Sequence, residues 1–389
     1  MYIVALITFF YSPIISILIC LILMLFSKKK YPYCILIAIV LSLIAFFFNP
    51  PASYDLYRIF EKVSWLKNTN FVDFLKIYSS NQEIGFNFVL FLIVKNLNKH
   101  FVPMIFSLIG YLIIFYIICD YSKMKKLNSF QTTFAILIFL LSYQHMYLIS
   151  GIRNFIAMIF FTLLLYIEKI KKREGMLTHI LYIIPLLFHS SMIIFIILRI
   201  LIELKDKIIE KIIMITSIIV LFAPFIILKI LKLFNNGIMH NIYIKFNNYI
   251  NNNSNFYQFL IVAAMILQLF IYTYMFYYIE KKELTATKFH QYTKYIVYLS
   301  IGLVPYSVMF DRILVLLSSL SIVVLIDYLT SINKINKYNK FLCYSLILLV
   351  SVFVFRNQVH NYLPDINSSI NIVQNNNLYD IIGLMKVIK

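Results

Sequence analysis

Apolar runs of about 18 residues or more recur along this chain, the length that crosses a hydrocarbon core of about 30 Å, and they exclude a soluble fold. Inside a bilayer each backbone N–H and C=O needs an internal partner, so only helices and closed barrels span. Strand-period alternation is missing, which disfavours a barrel. The expected fold class is an all-α polytopic integral membrane protein. Helices are expected at about 2–26, 34–48, 101–119, 129–148, 151–168, 211–232, 258–279, 293–309, 312–330 and 341–356, roughly ten crossings. Two segments differ. Residues 84–98 are short and interrupted by Lys95, which predicts a short outer-face helix. Residues 177–204 exceed one ordinary span and are interrupted by Pro185 and His189, which predicts a broken or re-entrant helical pair turning around 185–190.

The chain is 62% hydrophobic and 13% charged, yet carries a formal net charge of +19. Most lysines fall in short clusters between the apolar runs: 28–30, 123–126, 169–173, 205–211, 281–282 and 334–340. Cytoplasmic loops are enriched in Lys and Arg. All six clusters are cytoplasmic together if 84–98 does not cross alone and 177–204 enters and leaves on one side. That arrangement describes one transmembrane domain over 1–389, both termini outside. Its outer-face segments are 49–100, 233–257 and 357–389, with short outer turns near 149–151 and 310–311. The Asn-, Tyr- and Ser-rich composition of 233–257 and of the tail suits sugar contact, and equally disorder or plain solvation. Nucleic-acid binding is the weaker reading of the basic balance, because no basic face with interleaved aromatics forms a soluble domain, and no nucleic-acid partner is expected. The four cysteines (Cys20, Cys34, Cys119, Cys343) form no CxxC and read as buried free thiols. The first apolar run lacks a basic leader and a small-residue cleavage site, so it reads as a retained helix.

Absent motifs narrow the chemistry. The seven glycines form neither GxGxxG nor a Walker loop, and HExxH and GxSxG are missing. No pair of aspartates has the spacing of a metal- and nucleotide-sugar-dependent transferase. No cofactor and no metal are expected.

A small set of charges sits at the ends of apolar runs opposite the lysine clusters. Arg153 lies about one turn into an apolar helix, where a charge costs several kcal/mol unless it is paired or reaches the interface. It reads either as a snorkelling arginine or as an anion ligand, since its planar fork suits phosphate. His189, in Phe188-His189-Ser190-Ser191, is either a packing residue or a base in a polar pocket. Asp55 and Arg58 share a helical face at i, i+3, as an exposed pair or as site residues. Glu83 opens the short apolar segment, as a first-turn dipole partner or a ligand. Asp311 and Arg312 interrupt the apolar stretch 293–330, as a polar turn or as a second phosphate-binding arginine with its neighbour.

Taken in order, these pieces resemble the EpsG family of Wzy-like polysaccharide polymerases. The resemblance rests on Asp55-x-Tyr57-Arg58, Glu83-x-Gly85-Phe86, Ile152-Arg153-x-x-Ile156-Ala157, Phe188-His189-x-Ser191 and Arg312 opening a late helix, from about residue 50 to 330. Each piece is weak alone; the order makes the combination specific. Glutamine often follows the central arginine in such proteins, whereas Asn154 stands here, a change expected to alter a hydrogen bond near the substrate.

The resemblance implies a GT-C-like membrane glycosyltransferase architecture and a multi-pass enzyme of the bacterial plasma (inner) membrane, its active site facing the periplasm or cell exterior. Such enzymes join oligosaccharide repeat units carried on undecaprenyl diphosphate, making O-antigen, capsule or exopolysaccharide, without metal or nucleotide. The implied catalytic residues are Arg153, His189 and Asp55. Tyr57, Arg58, Glu83, Gly85, Phe86, Ser191, Asp311 and Arg312 are the implied substrate-binding set. Lipid-linked oligosaccharides and the bilayer are the expected partners, with a flippase and a chain-length regulator. Alternatives are an O-antigen ligase, a lipid-linked oligosaccharide flippase or transporter, and a polysaccharide acyltransferase. The topology predicts that Asp55→Cys and Arg153→Cys are labelled by an impermeant thiol reagent from outside the cell; cytoplasmic labelling of both overturns it.

Overall fold

The computed structural model describes residues 1–78, 83–203, 206–222, 256–281, 287–332 and 336–387; these are helical, with no strand among the described residues. The protein is thus an all-α polytopic membrane protein. Its described residues form two compact units, Met1–Leu140 with Gln144–Ile194 and Val359–Lys389, and Leu141–Tyr143 with Phe195–Gln358. The expected outer loop 233–257 lies, up to residue 255, outside the described residues.

In the first unit the single helix expected over 2–26 is two, α1 (Tyr2–Tyr11) and α2 (Pro13–Phe26). Pro13 has no N–H to donate and occupies the first position of α2, with Ser12 between at φ −150° and ψ 89°. At 1.5 Å per residue the two run to about 15 and 21 Å, and neither crosses a core of about 30 Å alone. They pack together and on α3 (Tyr31–Phe47), which packs on the long apolar helix α7 (Phe101–Met124).

Between α3 and α7 lie three short helices, α4 (Asp55–Asn68), α5 (Phe71–Tyr78) and α6 (Ile84–Asn96). At 13 residues α6 extends about 20 Å, too short to span. The expected helix 129–148 breaks after Ser142 into α8 (Ser129–Ser142) and α9 (His145–Ser150). Next, α10 (Ile152–Leu165) ends in a π-helical turn, Tyr166–Ile170. Segment 177–204, expected as a helical pair turning around 185–190, is three short helices, α11 (Met176–Leu181), α12 (Ile183–Phe188) and α13 (Met192–Leu201), with the expected break at the non-helical His189–Ser191 and a further one at Tyr182.

In the second unit α14 (Asp206–Phe222) and α15 (Phe256–Lys281) are joined by α16 (Lys288–Leu303) and α17 (Ser307–Ser331). In α17, 94% of the most apolar 18-residue window is buried, so it is a central helix enclosed by protein. The outer turn expected at 310–311 falls instead at 304–306, where Pro305 interrupts the chain. Asp311 and Arg312 therefore lie about one turn inside α17 and do not form a turn. In α18 (Lys337–Asn375) only 28% of the corresponding window is buried, so its apolar stretch mostly faces outward. The Asn-rich tail is helical too: α18 runs on through Pro364 to Asn375, and α19 (Leu378–Val387) follows.

Among the described residues, α7, Met309–Ser331 of α17 and Lys337–His360 of α18 are long and apolar enough to cross a membrane by length and composition. Helix α14 meets α16 at Gly302, where an added Cβ would stand 2.8 Å from the Ser217 carbonyl oxygen and 2.9 Å from its Cα. Backbone cannot yield as a flexible side chain does, so Gly302→Ala is expected to lower stability by about 1–3 kcal/mol. Thermal unfolding in detergent checks this against Gly175→Ala, whose Cβ meets nothing within 4 Å; equal midpoints refute the close-packing account.

Candidate active site

Four side chains that are far apart in sequence meet in the first unit. Arg153 donates from Nε to Asp55 Oδ2 at 3.1 Å and from Nη2 to Asp55 Oδ1 at 2.6 Å, a bidentate pair. Its Nη1 donates to Glu83 Oε2. The other Glu83 oxygen, Oε1, lies 3.0 Å from His189 Nδ1. Their side chains range from 16% exposed at Glu83 to 27% at Asp55, so the cluster is reachable from solvent yet largely withdrawn from it. A guanidinium has five N–H donors; three of them are engaged here.

Helix ends position all four groups. Asp55 is the first residue of α4, Glu83 caps α6, Arg153 is the second residue of α10, and His189 closes α12 in extended backbone. Helix N-termini carry partial positive charge that favours carboxylates, which suits Asp55 and Glu83. Pro185 accepts the His189 N–H at 2.9 Å and ends α12 with the ring directed at Glu83. The approach of α6 to α12 requires Gly85, whose added Cβ would lie 2.6 Å from Leu187 Cβ and 3.1 Å from its carbonyl oxygen. Phe86 stacks on Phe106 at 5.5 Å, and Phe188 meets Phe86, Phe106 and Phe160 edge-on. These rings tie α6, α7, α10 and α12 together beneath the charges.

Burial by itself would raise the Glu83 carboxyl, but the His189 hydrogen bond and the Arg153 charge outweigh it and hold the group below its ordinary 4.5. Asn154, next to Arg153 in the chain, has a buried Oδ1 without a hydrogen-bond partner among the described residues.

Other residues singled out in the sequence fall differently. Asp55 pairs with Arg153 and not with Arg58; Arg58 and Tyr57 are exposed on α4, and Arg58 has no ion pair among the described residues. Gly85 and Phe86 belong to the packing under the cluster, Phe86 being buried. Ser191 is half-buried at the end of the break, its carbonyl accepting the Ile194 N–H. Asp311 and Arg312 are in the second unit. No group of three or more His, Cys, Asp or Glu side chains among the described residues has the arrangement of a metal site.

Sequence reasoning missed Asp365, which accepts a 2.6 Å hydrogen bond from Tyr54, the residue capping α4. It is the only acidic residue between Asp327 and Asp380. The lysine cluster 169–173 is not simply solvated loop charge either. Lys169 pairs at 3.0 Å with Glu168, which is fully buried and also accepts from Tyr182 at 2.7 Å. Lys171 pairs with Asp120 at 2.9 Å.

The fold and the cluster together define a polytopic helical membrane protein with a guanidinium–dicarboxylate–imidazole site. Residues 30–370 match the sequence model of the EpsG family, and the chain belongs to that family. Its activity is accordingly of the polysaccharide-polymerase, glycosyltransferase-like type. No match was found among curated proteins or among solved structures.

Because Glu83 titrates lower in the folded protein than in the unfolded chain, its stabilising contribution is in place above about pH 4.5 and is lost as the pH falls through the lowered value. Unfolding midpoints in detergent between pH 7 and pH 3 are expected to fall less steeply for Glu83→Gln than for the unaltered protein. Parallel curves would refute a charged Glu83 at the centre of the cluster.

Proposed function

We propose that this protein joins oligosaccharide repeat units carried on undecaprenyl diphosphate at the outer face of the bacterial plasma membrane, and that the Asp55–Arg153–Glu83–His189 cluster is the catalytic centre. The single observation supporting this reading is the Glu83–His189 contact. A carboxylate at Nδ1 favours the tautomer with its proton there, which leaves Nε2 as a base.

In this mechanism the terminal hydroxyl of one lipid-linked unit attacks the anomeric carbon of the growing chain. The hydroxyl proton passes to His189 Nε2, a new glycosidic C–O bond forms, and the bond to the diphosphate breaks with its electron pair staying on the leaving group. Asp55 is the alternative base. Arg153 holds both carboxylates in place, which orients the imidazole through Glu83. Two carboxylates exceed its single positive charge, and two of its N–H groups remain. Arg58, one turn after Asp55 and without an ion pair among the described residues, is the better candidate for the departing diphosphate. Tyr57, exposed beside it, suits a sugar face. No metal enters this scheme; O-antigen, capsule and exopolysaccharide all fit it as products.

The test is reconstitution with a purified lipid-linked repeat unit, scored as a ladder of longer products. Arg153→Ala is expected to abolish the ladder with the protein still inserted, and His189→Ala to slow it by about 10²- to 10⁴-fold. Normal polymer length in membrane-inserted Arg153→Ala would overturn the assignment.

A further inference from the structure

Away from the catalytic cluster, three helices of the first unit bring their C-terminal ends around one cavity of about 630 Å³. Its rim carries Lys67 from the last turn of α4, Lys95 from the last turn of α6 and Lys386 from the last turn of α19. Its apolar lining includes Leu97, Phe101 and Ile382, and no acidic side chain lines it among the described residues. Lysines in last turns complement helix dipoles, and that alone would explain one lysine per helix end. It does not explain why three turn toward a shared cavity. Lys95 is held in place, donating to the Lys67 carbonyl at 2.7 Å and lying 5.5 Å over the Phe91 ring. An ammonium has three donors, so two remain. Lys67 and Lys386 are exposed and carry no ion pair among the described residues.

The surrounding surface shows what reaches this cavity. Helices α4, α5 and α19, of 14, 8 and 10 residues, are too short to cross a bilayer. Yet α5 exposes Phe71, Val72 and Ile77, and α19 exposes Tyr379, Ile382 and Val387. Trp65, the only tryptophan of the chain, is exposed on α4. Short helices with exposed apolar faces, tryptophan and lysine lie at the membrane interface. That is the depth of lipid phosphates, and basic pockets there bind anionic headgroups.

We propose that this cavity is a binding site for one anionic glycerophospholipid, its phosphodiester held by Lys67, Lys95 and Lys386 and its first acyl carbons laid over the apolar lining. The positive rim discriminates against zwitterionic lipids, whose ammonium it repels.

The purified protein in neutral detergent is given equal amounts of phosphatidylglycerol and phosphatidylcholine, and retained lipid is counted by native mass spectrometry. One phosphatidylglycerol is expected to be retained in preference. The preference should weaken about fivefold per lysine removed, in Lys67→Gln and Lys386→Gln. Lys67→Arg, which keeps the charge, should retain it, as should Lys62→Gln, outside the cavity. Equal retention of the two lipids overturns the proposal, and so does an equal loss in Lys62→Gln. Preferential retention of undecaprenyl phosphate over phosphatidylglycerol would also overturn it, assigning the cavity to substrate lipid instead.

Discussion

The bidentate pair between Arg153 and Asp55, extended through Glu83 to His189, is the interaction on which the candidate site depends. Its members come from four helix ends, and none of those helices would bring a charge into a largely withdrawn position alone. Removing one partner from a buried pair typically costs about 3–5 kcal/mol, because the other charge is left uncompensated; solvent access here reduces that figure. The cluster therefore acts as a condition on assembly. The α4, α6, α10 and α12 ends must meet together, because any one left out strands a charge.

The same condition recurs elsewhere among the described residues. Glu168 has no exposed surface and is met by Lys169 and Tyr182, while Asp120 is met by Lys171 and Tyr166. In the second unit Lys294 lies 2.8 Å from both Glu210 and Glu280, and His290 lies 2.9 Å from Asp327. Helices that are apolar on most faces have little in the hydrophobic effect to fix their register in lipid, since lipid tails are as apolar as leucine. Close packing at glycines and these sparse polar pairs supply the missing specificity. Gly85 against Leu187 and Gly302 against Ser217 are two such approaches, one in each unit.

Much of this was legible in order and little of it in contact. The helical class, the short α6 and the break after Phe188 follow from run length and from Pro185, which are local properties. Proline also marks the places where expectation slipped: Pro13 divides the first run, and Pro305 moves the turn away from Asp311. Asp55 and Arg58 satisfied a helix-face pairing rule, yet Asp55 turned to Arg153, 98 residues away. A spacing rule ranks neighbours within one helix and has no information about a stronger bidentate partner on another. The helix expected to end near 356 runs on to Asn375, because a helix already under way continues wherever packing supports it, as around Asp365 and Tyr54.

The sequence by itself determined the membrane class, the order of the motifs and the identity of the charged residues that apolar surroundings make costly. Those properties depend on run length and on the price of desolvating a charge, which each residue carries wherever it goes. Tertiary structure alone decided which charges are partners. It placed Glu83 between Arg153 and His189, left Arg58 exposed without an ion pair among the described residues, and turned three distant lysines onto one cavity. Pairing falls off with distance in space, and distance in space between residues far apart in the chain is set only when the helices pack.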